Sequence, residues 1–273
     1  MFDILLWPFI ACVVLTGIHA YLGMHVIRRG VIFVDLALAQ TAAMGTLVGF
    51  AFGVAMHTTG SYLISLAFAL AGAFFFAMAR EMEKLVIQEA VIGITYVFAA
   101  AASVLILAKA PAESEHIKDM LVGNILFVKP EEVIKTAVLY SAIGIFHFIF
   151  RKNFWLVTED CEKACEKKMN VELWDFLFYA TFGAVVTSSV EMAGVLMVFS
   201  YLIIPAICSI MIAKTLKNRL FISWGLGIAG SLAGMGVSVS LDMPTGASIV
   251  AVFGIMFAIF LAGKALTMRK AKG

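Results

Sequence analysis

Apolar residues gather in nine blocks along the chain, at about 5–27, 31–55, 62–79, 89–109, 132–150, 172–189, 193–213, 220–240 and 246–263, each long enough to cross a bilayer as a helix. The pattern predicts an all-α polytopic membrane protein of roughly eight to nine transmembrane helices, with a tilted or re-entrant path left open for one of the first two blocks. Between the fifth and sixth blocks the pattern changes. The run RKNFWLVTEDCEKACEKKMNVELWD, Arg151–Asp175, is the longest charged stretch in the chain. Thr158 stands where a helix N-cap would, followed by Glu159 and Asp160, charges that a helix N-terminus favours. Cys161, Ala164, Cys165 and Met169 then fall on one helical face, and Glu162, Lys163, Glu166 and Lys167 occupy the rest. A short helix over about 158–170 follows, too short and too charged to span. Its apolar stripe is expected to dock on a membrane surface or a partner.

Composition agrees with the pattern. Of the 273 residues 62% are hydrophobic and 14% charged, and the mean hydropathy of +1.00 excludes an ordinary soluble globular domain. Met1–Leu6 has no basic lead and no small-residue cleavage site, so the first block is expected to be a retained span. No linker divides the chain, and residues 1–273 are expected to form one membrane domain. Of the twenty Lys and Arg, all but Lys109, Lys118, Lys129 and Lys135 fall on alternate loops, at 28–29, 80–84, 151–168, 214–219 and 264–272. Cytoplasmic loops are enriched in basic residues. The charged helix and the C-terminus are therefore expected in the cytoplasm, the N-terminus outside, and Ala110–Glu131 as the longest external segment.

Four cysteines supply no disulfide framework; Cys161 and Cys165, one turn apart, make at most half a zinc set, and apolar packing is the plainer reading. The chain lacks a phosphate-binding G-x-x-x-x-G-K-[ST], an H-E-x-x-H and a G-x-S-x-G, so it is expected to be neither an ATPase nor a hydrolase, and to bind no cofactor. Chemistry is left to polar groups inside the spans, which are costly there and tend to mark ion pathways. Asp35, Gln40, His19 and His57 are the candidates for a metal path, and Asp35 is the strongest of them. A plain ion pair with Arg28 or Arg29 is its structural alternative, and packing is the alternative for His19, His25 and His147. In the eighth block, spacings such as Gly230–Gly234 suit close approach of helices.

Several blocks together resemble the membrane subunit of ABC-type zinc/manganese/iron importers. GVLMVFSYLIIPA (Gly194–Ala206) is similar to that family's G-V-L-L-V-x-x-L-L-I-I-P-A core, and DMPTGASIVAVFG (Asp242–Gly254) to its D-x-P-T-G-P-x-I-V block. EDCEKACEKKMNV (Glu159–Val171) is similar to its cytosolic D-P-E-x-A-R-A-x-G-I-N segment, with Cys161, Cys165 and Lys168 in place of the Pro, Arg and Gly. Asp35 matches the first member of a D-x-x-x-H pair, whose His position falls on Ala39. The resemblance implies a permease that carries a divalent transition metal, zinc or manganese or possibly iron, as cargo. It also implies a homodimer in the cell membrane, bound to cytosolic ATPase subunits and served by an extracytoplasmic metal-binding protein. The 158–170 helix would then be the coupling helix, meeting the ATPase through Asp160, Cys161, Glu162, Ala164, Cys165 and Met169. Its partners would be these chains and lipid, not nucleic acid. A secondary transporter needing no ATPase is the alternative, and an intramembrane hydrolase a more distant one.

Overall fold

A computed structural model describes residues 2–55, 58–82, 86–108 and 125–270. Among these, nine helices are long and apolar enough to cross a membrane: α1 (Phe2–Arg29), α2 (Val34–Ala51), α3 (Thr59–Glu81), α4 (Gln88–Leu107), α5 (Pro130–Ile149), α8 (Val171–Ala193), α9 (Val195–Ile212), α10 (Leu216–Leu241) and α11 (Thr245–Lys270). All nine expected blocks are helical, with ends that move by a few residues. Two short helices, α6 (Arg151–Glu159) and α7 (Cys161–Glu166), stand between α5 and α8, and one 3-10 turn, Ile125–Phe127, precedes α5. The chain is an all-α, multi-pass membrane protein. Most of the external segment expected at 110–131 lies outside the described residues.

The fold divides into two compact units. The first comprises Met1–Met24, Val122–Ala137 and Met192–Gly273. Small residues set its helix contacts. A Cβ on Gly23 would lie 1.9 Å from the Leu202 carbonyl oxygen, which brings α1 directly onto the α9 backbone. Gly234 meets the Ile249 Cα, so the expected approach of the Gly230–Gly234 face is realised against α11, where Gly230 also receives the Phe253 ring. Polar groups are paired inside this unit: the Tyr201 hydroxyl meets that of Ser231, Ser223 donates to the Pro205 carbonyl, and the Trp224 indole donates to Gly17 O. Pro205 sits inside α9, which runs on through it.

The second unit comprises His25–Leu121 and Val138–Glu191. Here α2 lies against α3, with Gly45 under Phe68 and Gly49 under Ile64. Ser65 of α3 donates to Ala42 O of α2. Gln88, buried at the start of α4, donates both to Phe76 O and to the Tyr179 hydroxyl, and so ties α4 to α3 and α8. Tyr140 of α5 joins Ser189 and the Val185 carbonyl of α8. Most of these buried hydroxyls find partners within their own unit, as a solvent without hydrogen bonds requires; the Thr187 hydroxyl, buried on α8, has none.

Candidate functional site: the charged segment and its seat

The 158–170 helix is shorter than expected, and its cap is different. Thr158 is not the N-cap: it lies in the last turn of α6, where its hydroxyl oxygen is 2.8 Å from His25 Nδ1 and accepts from Arg29 Nε at 3.0 Å. With Thr158 engaged by α1, the chain breaks one residue after Glu159. Asp160, at φ −151° and ψ 83°, closes α6 and opens α7, accepting from the Lys163 amide at 3.0 Å. The Lys163 ammonium also reaches Asp160, at 2.5 Å. These two bonds, the side-chain one first, hold the Asp160 carboxyl below its usual range, and the side-chain bond pushes Lys163 up.

The far end of α7 is closed by a Schellman arrangement. Met169 N donates to Ala164 O and Lys168 N to Cys165 O, with Lys168 in the left-handed region at φ 56°. That position usually belongs to glycine. Met169 therefore folds back over Ala164, which explains the expected stripe and corrects its direction. Ala164 is fully buried against its own chain, Cys161 and Met169 are half-buried, and Cys165, Glu162 and Glu166 are exposed. Burial also raises the Cys161 thiol above its usual range. Lys163, Lys167 and Lys168 are exposed as well. On the Lys163 and Lys167 side lies a depression of about 780 Å³, lined also by Arg28, Trp155, Glu159 and Met169.

Behind this segment is a set of charges that sequence reasoning did not find. Asp175, in the first turns of α8, accepts from Arg29 Nη1 at 2.7 Å and Arg80 Nη1 at 2.5 Å, both on Oδ1. Arg80 Nη2 also donates to Val157 O of α6 at 2.8 Å, and Arg28 pairs with Glu159 at 3.0 Å. The Asp175 and Arg29 side chains are 2% and 1% exposed. The legible signal was an acidic residue a few positions inside a span, facing span-terminal arginines on two other helices.

The metal-path candidates are scattered. Asp35 is buried in the first turn of α2, its Oδ1 accepting from the Leu36 amide at 2.8 Å. Arg28 and Arg29 are engaged by Glu159, Asp175 and Thr158, so the plain ion pair offered as an alternative is absent. Glu89, in the first turn of α4, reaches the backbone two residues before Asp35: its Oε1 accepts from the Phe33 amide at 3.1 Å, and its Oε2 is buried without a hydrogen-bond partner. Gln40 is half-buried on α2. His19 belongs to the first unit, fully buried, its Nδ1–H donating to Leu15 O. His147 bonds Thr181 and stacks on Phe154. His57 lies outside the described residues. Among the described residues, no three His, Cys, Asp or Glu side chains converge as a metal site.

Residues 1–264 match the family model described as the ABC 3 transport family. A "Probable iron transport system membrane protein" of Haemophilus influenzae is 23% identical over 95% of this chain and 93% of its own length. The "Manganese import system permease protein ScaB" of Streptococcus gordonii is 22% identical over 93% of this chain and 90% of its own. Among solved structures, "PsaBC from Streptococcus pneumoniae in complex with Fab" superposes with a TM-score of 0.79 at 23% identity, over 95% of this chain and 91% of that one.

Proposed function

Since the chain belongs to the ABC 3 transport family, we propose that it is the permease subunit of an ATP-driven importer of a divalent transition-metal ion, with ATP hydrolysed on a separate cytosolic chain. The observation that carries this reading is α7: a short, capped, charged helix between two spans, seated on its own chain through Ala164 and presenting Glu162, Lys163, Cys165 and Glu166 outwards. An ATPase groove is the partner that such an element fits. The same reading gives the chain a second permease copy and an extracytoplasmic metal-binding protein as partners. It also puts α6 and α7 on the cytosolic side, as the basic residues suggest.

For the cargo, the donor chemistry favours manganese or iron(II) over zinc. Asp35 and Glu89 offer carboxylate oxygens, and Ala39, 1% exposed, stands where the resemblance has an imidazole. Oxygen donors suit harder divalent ions, whereas zinc is usually held with imidazole or thiolate. Few carboxylate donors bind weakly, as conduction requires. The names of the iron and manganese relatives support the same choice.

The test is uptake of radiolabelled manganese into proteoliposomes holding the chain with its ATPase. ATP-dependent uptake is expected, lost in Asp35→Asn while ATP hydrolysis continues. Uptake by the chain alone, driven by an ion gradient, would overturn the proposal in favour of a secondary transporter.

A further inference from the structure

We propose that Asp175, gripped by Arg29 and Arg80, is a positioning residue that carries displacement of α7 into α1, α3 and α8. The proposal rests on the coupling role given above to α7.

Its geometry is that of a clamp on the helix from which α7 hangs. Three arginines from the ends of α1 and α3 converge on the last turn of α6: Arg80 on the Val157 carbonyl, Arg29 on the Thr158 hydroxyl and Arg28 on the Glu159 carboxylate. Val157 lies in the last turn of α6, where carbonyls run out of helical partners. A guanidinium placed there meets the negative end of the helix dipole. Two of the three arginines then share Asp175 Oδ1, at the opening of α8. Asp160, the next residue after the clamped turn, is the common cap of α6 and α7. No flexible linker lies between α7 and the clamp.

The charge count makes Asp175 the keystone. One buried carboxylate faces two guanidiniums, and the excess is offset by the α6 C-terminus, roughly half an elementary charge, and by the Phe178 ring, whose centroid lies 4.0 Å from Arg29 Cζ. Arg29 Nη2 is already without a hydrogen-bond partner. Without the Asp175 charge, two guanidiniums would be left confronting each other. Apolar side chains slide past one another at little cost. Oriented N–H···O bonds of 2.5–3.0 Å resist both sliding and separation, so a push on α7 is passed on instead of being absorbed.

A purely structural ion cluster would hold the fold without affecting how hydrolysis is used. The experiment therefore reads stoichiometry. The full chain with its ATPase is reconstituted as wild type, Asp175→Asn, which keeps shape and loses charge, and Arg80→Lys, which keeps charge and loses the fork that reaches Asp175 and Val157 together. Co-purification, ATP hydrolysis and manganese uptake are measured on each. Both variants are expected to hold the ATPase at wild-type stoichiometry and to hydrolyse ATP within about twofold of wild type, while manganese transported per ATP falls about tenfold. If uptake and hydrolysis fall together with their ratio unchanged, or if neither variant yields an inserted complex, the cluster is structural and the proposal is overturned. A fourth sample, Cys165→Trp, changes only the exposed face of α7 and is expected to detach the ATPase. Its failure to do so would sink the coupling reading itself, whereas detachment with an unchanged ratio in the Asp175 and Arg80 variants would sink the clamp alone.

Discussion

The contact between α1 and α9 makes a demanding test of the packing, because it turns on one absent methyl group. Gly23→Ala would put a Cβ 1.9 Å from the Leu202 carbonyl oxygen, 3.0 Å from its carbon and 3.2 Å from the Ala206 Cβ. An ordinary carbon–oxygen contact is roughly 3.3 Å, so the two backbones must part by about 1.4 Å. A backbone carbonyl cannot rotate away as a side chain can. A radial gap of even 0.5–1 Å forfeits roughly a quarter to a half of each dispersion contact across the interface, and overpacking of this kind costs about 1–3 kcal/mol. We expect the upper part of that range, a fall in Tm of about 5–10 °C in detergent. The internal control is Gly17→Ala on the same helix, where the new Cβ meets nothing within 4 Å. There the helix gains about 0.5–1 kcal/mol from the lost glycine entropy, and Tm rises slightly. Thermal unfolding followed by fluorescence-detected size exclusion reads both. Equal Tm values for the two variants would refute the close approach of α1 and α9.

Two further outcomes concern backbone conformation. Lys168→Gly is expected to stabilise α7 by about 1 kcal/mol, because glycine enters the left-handed position at φ 56° without the Cβ penalty; slower amide hydrogen exchange over 161–169 would register it, and unchanged exchange would contradict the Schellman closure. Gly194→Ala is expected to cost about 1–3 kcal/mol, since Gly194, the single residue between α8 and α9, has φ 77° and ψ 158°, a region almost confined to glycine; an unaltered Tm would contradict that turn.

The spans were legible because a bilayer leaves the backbone few choices: about twenty apolar residues between polar ends form a helix or do not cross. The same logic made Gly230 and Gly234 readable as a close-approach face, although nothing in their spacing says that Ile249 and Phe253 of α11 fill it. The short segment was harder. Thr158 has every local qualification for an N-cap, yet its hydroxyl is used by His25 and Arg29 from another helix, and the cap passes to Asp160. Local propensity proposes a helix start, and a tertiary hydrogen bond moves it by two residues. Ala164 was beyond local reading in a similar way. A four-residue apolar stripe cannot say which of its members meet their own chain, and the Met169–Ala164 closure buries Ala164 while leaving Cys165 exposed.

The arginines show why the seat of the charged segment escaped a reading by charge. Arg28, Arg29 and Arg80 entered the topology argument as interchangeable markers of the cytoplasmic side, and for that purpose position along the chain is sufficient. Folding separates them. Arg28 remains half-exposed on Glu159, an arrangement of the kind that contributes little. Arg29 is withdrawn to 1% exposure, and Arg80 to 13%, onto a carboxylate that is itself 2% exposed. Burying that cluster is costly unless every charge has a partner. The chain meets the cost with four separate elements, α1, α3, α6 and α8, each contributing one part of the balance. A sequence displays these parts 51 and 95 positions apart, between Arg29 and Arg80 and between Arg80 and Asp175, and no local pattern ties them. What ties them is the need of the last turn of α6 for cations and of two cations for Asp175. That need arises only once the spans have brought the helix ends together.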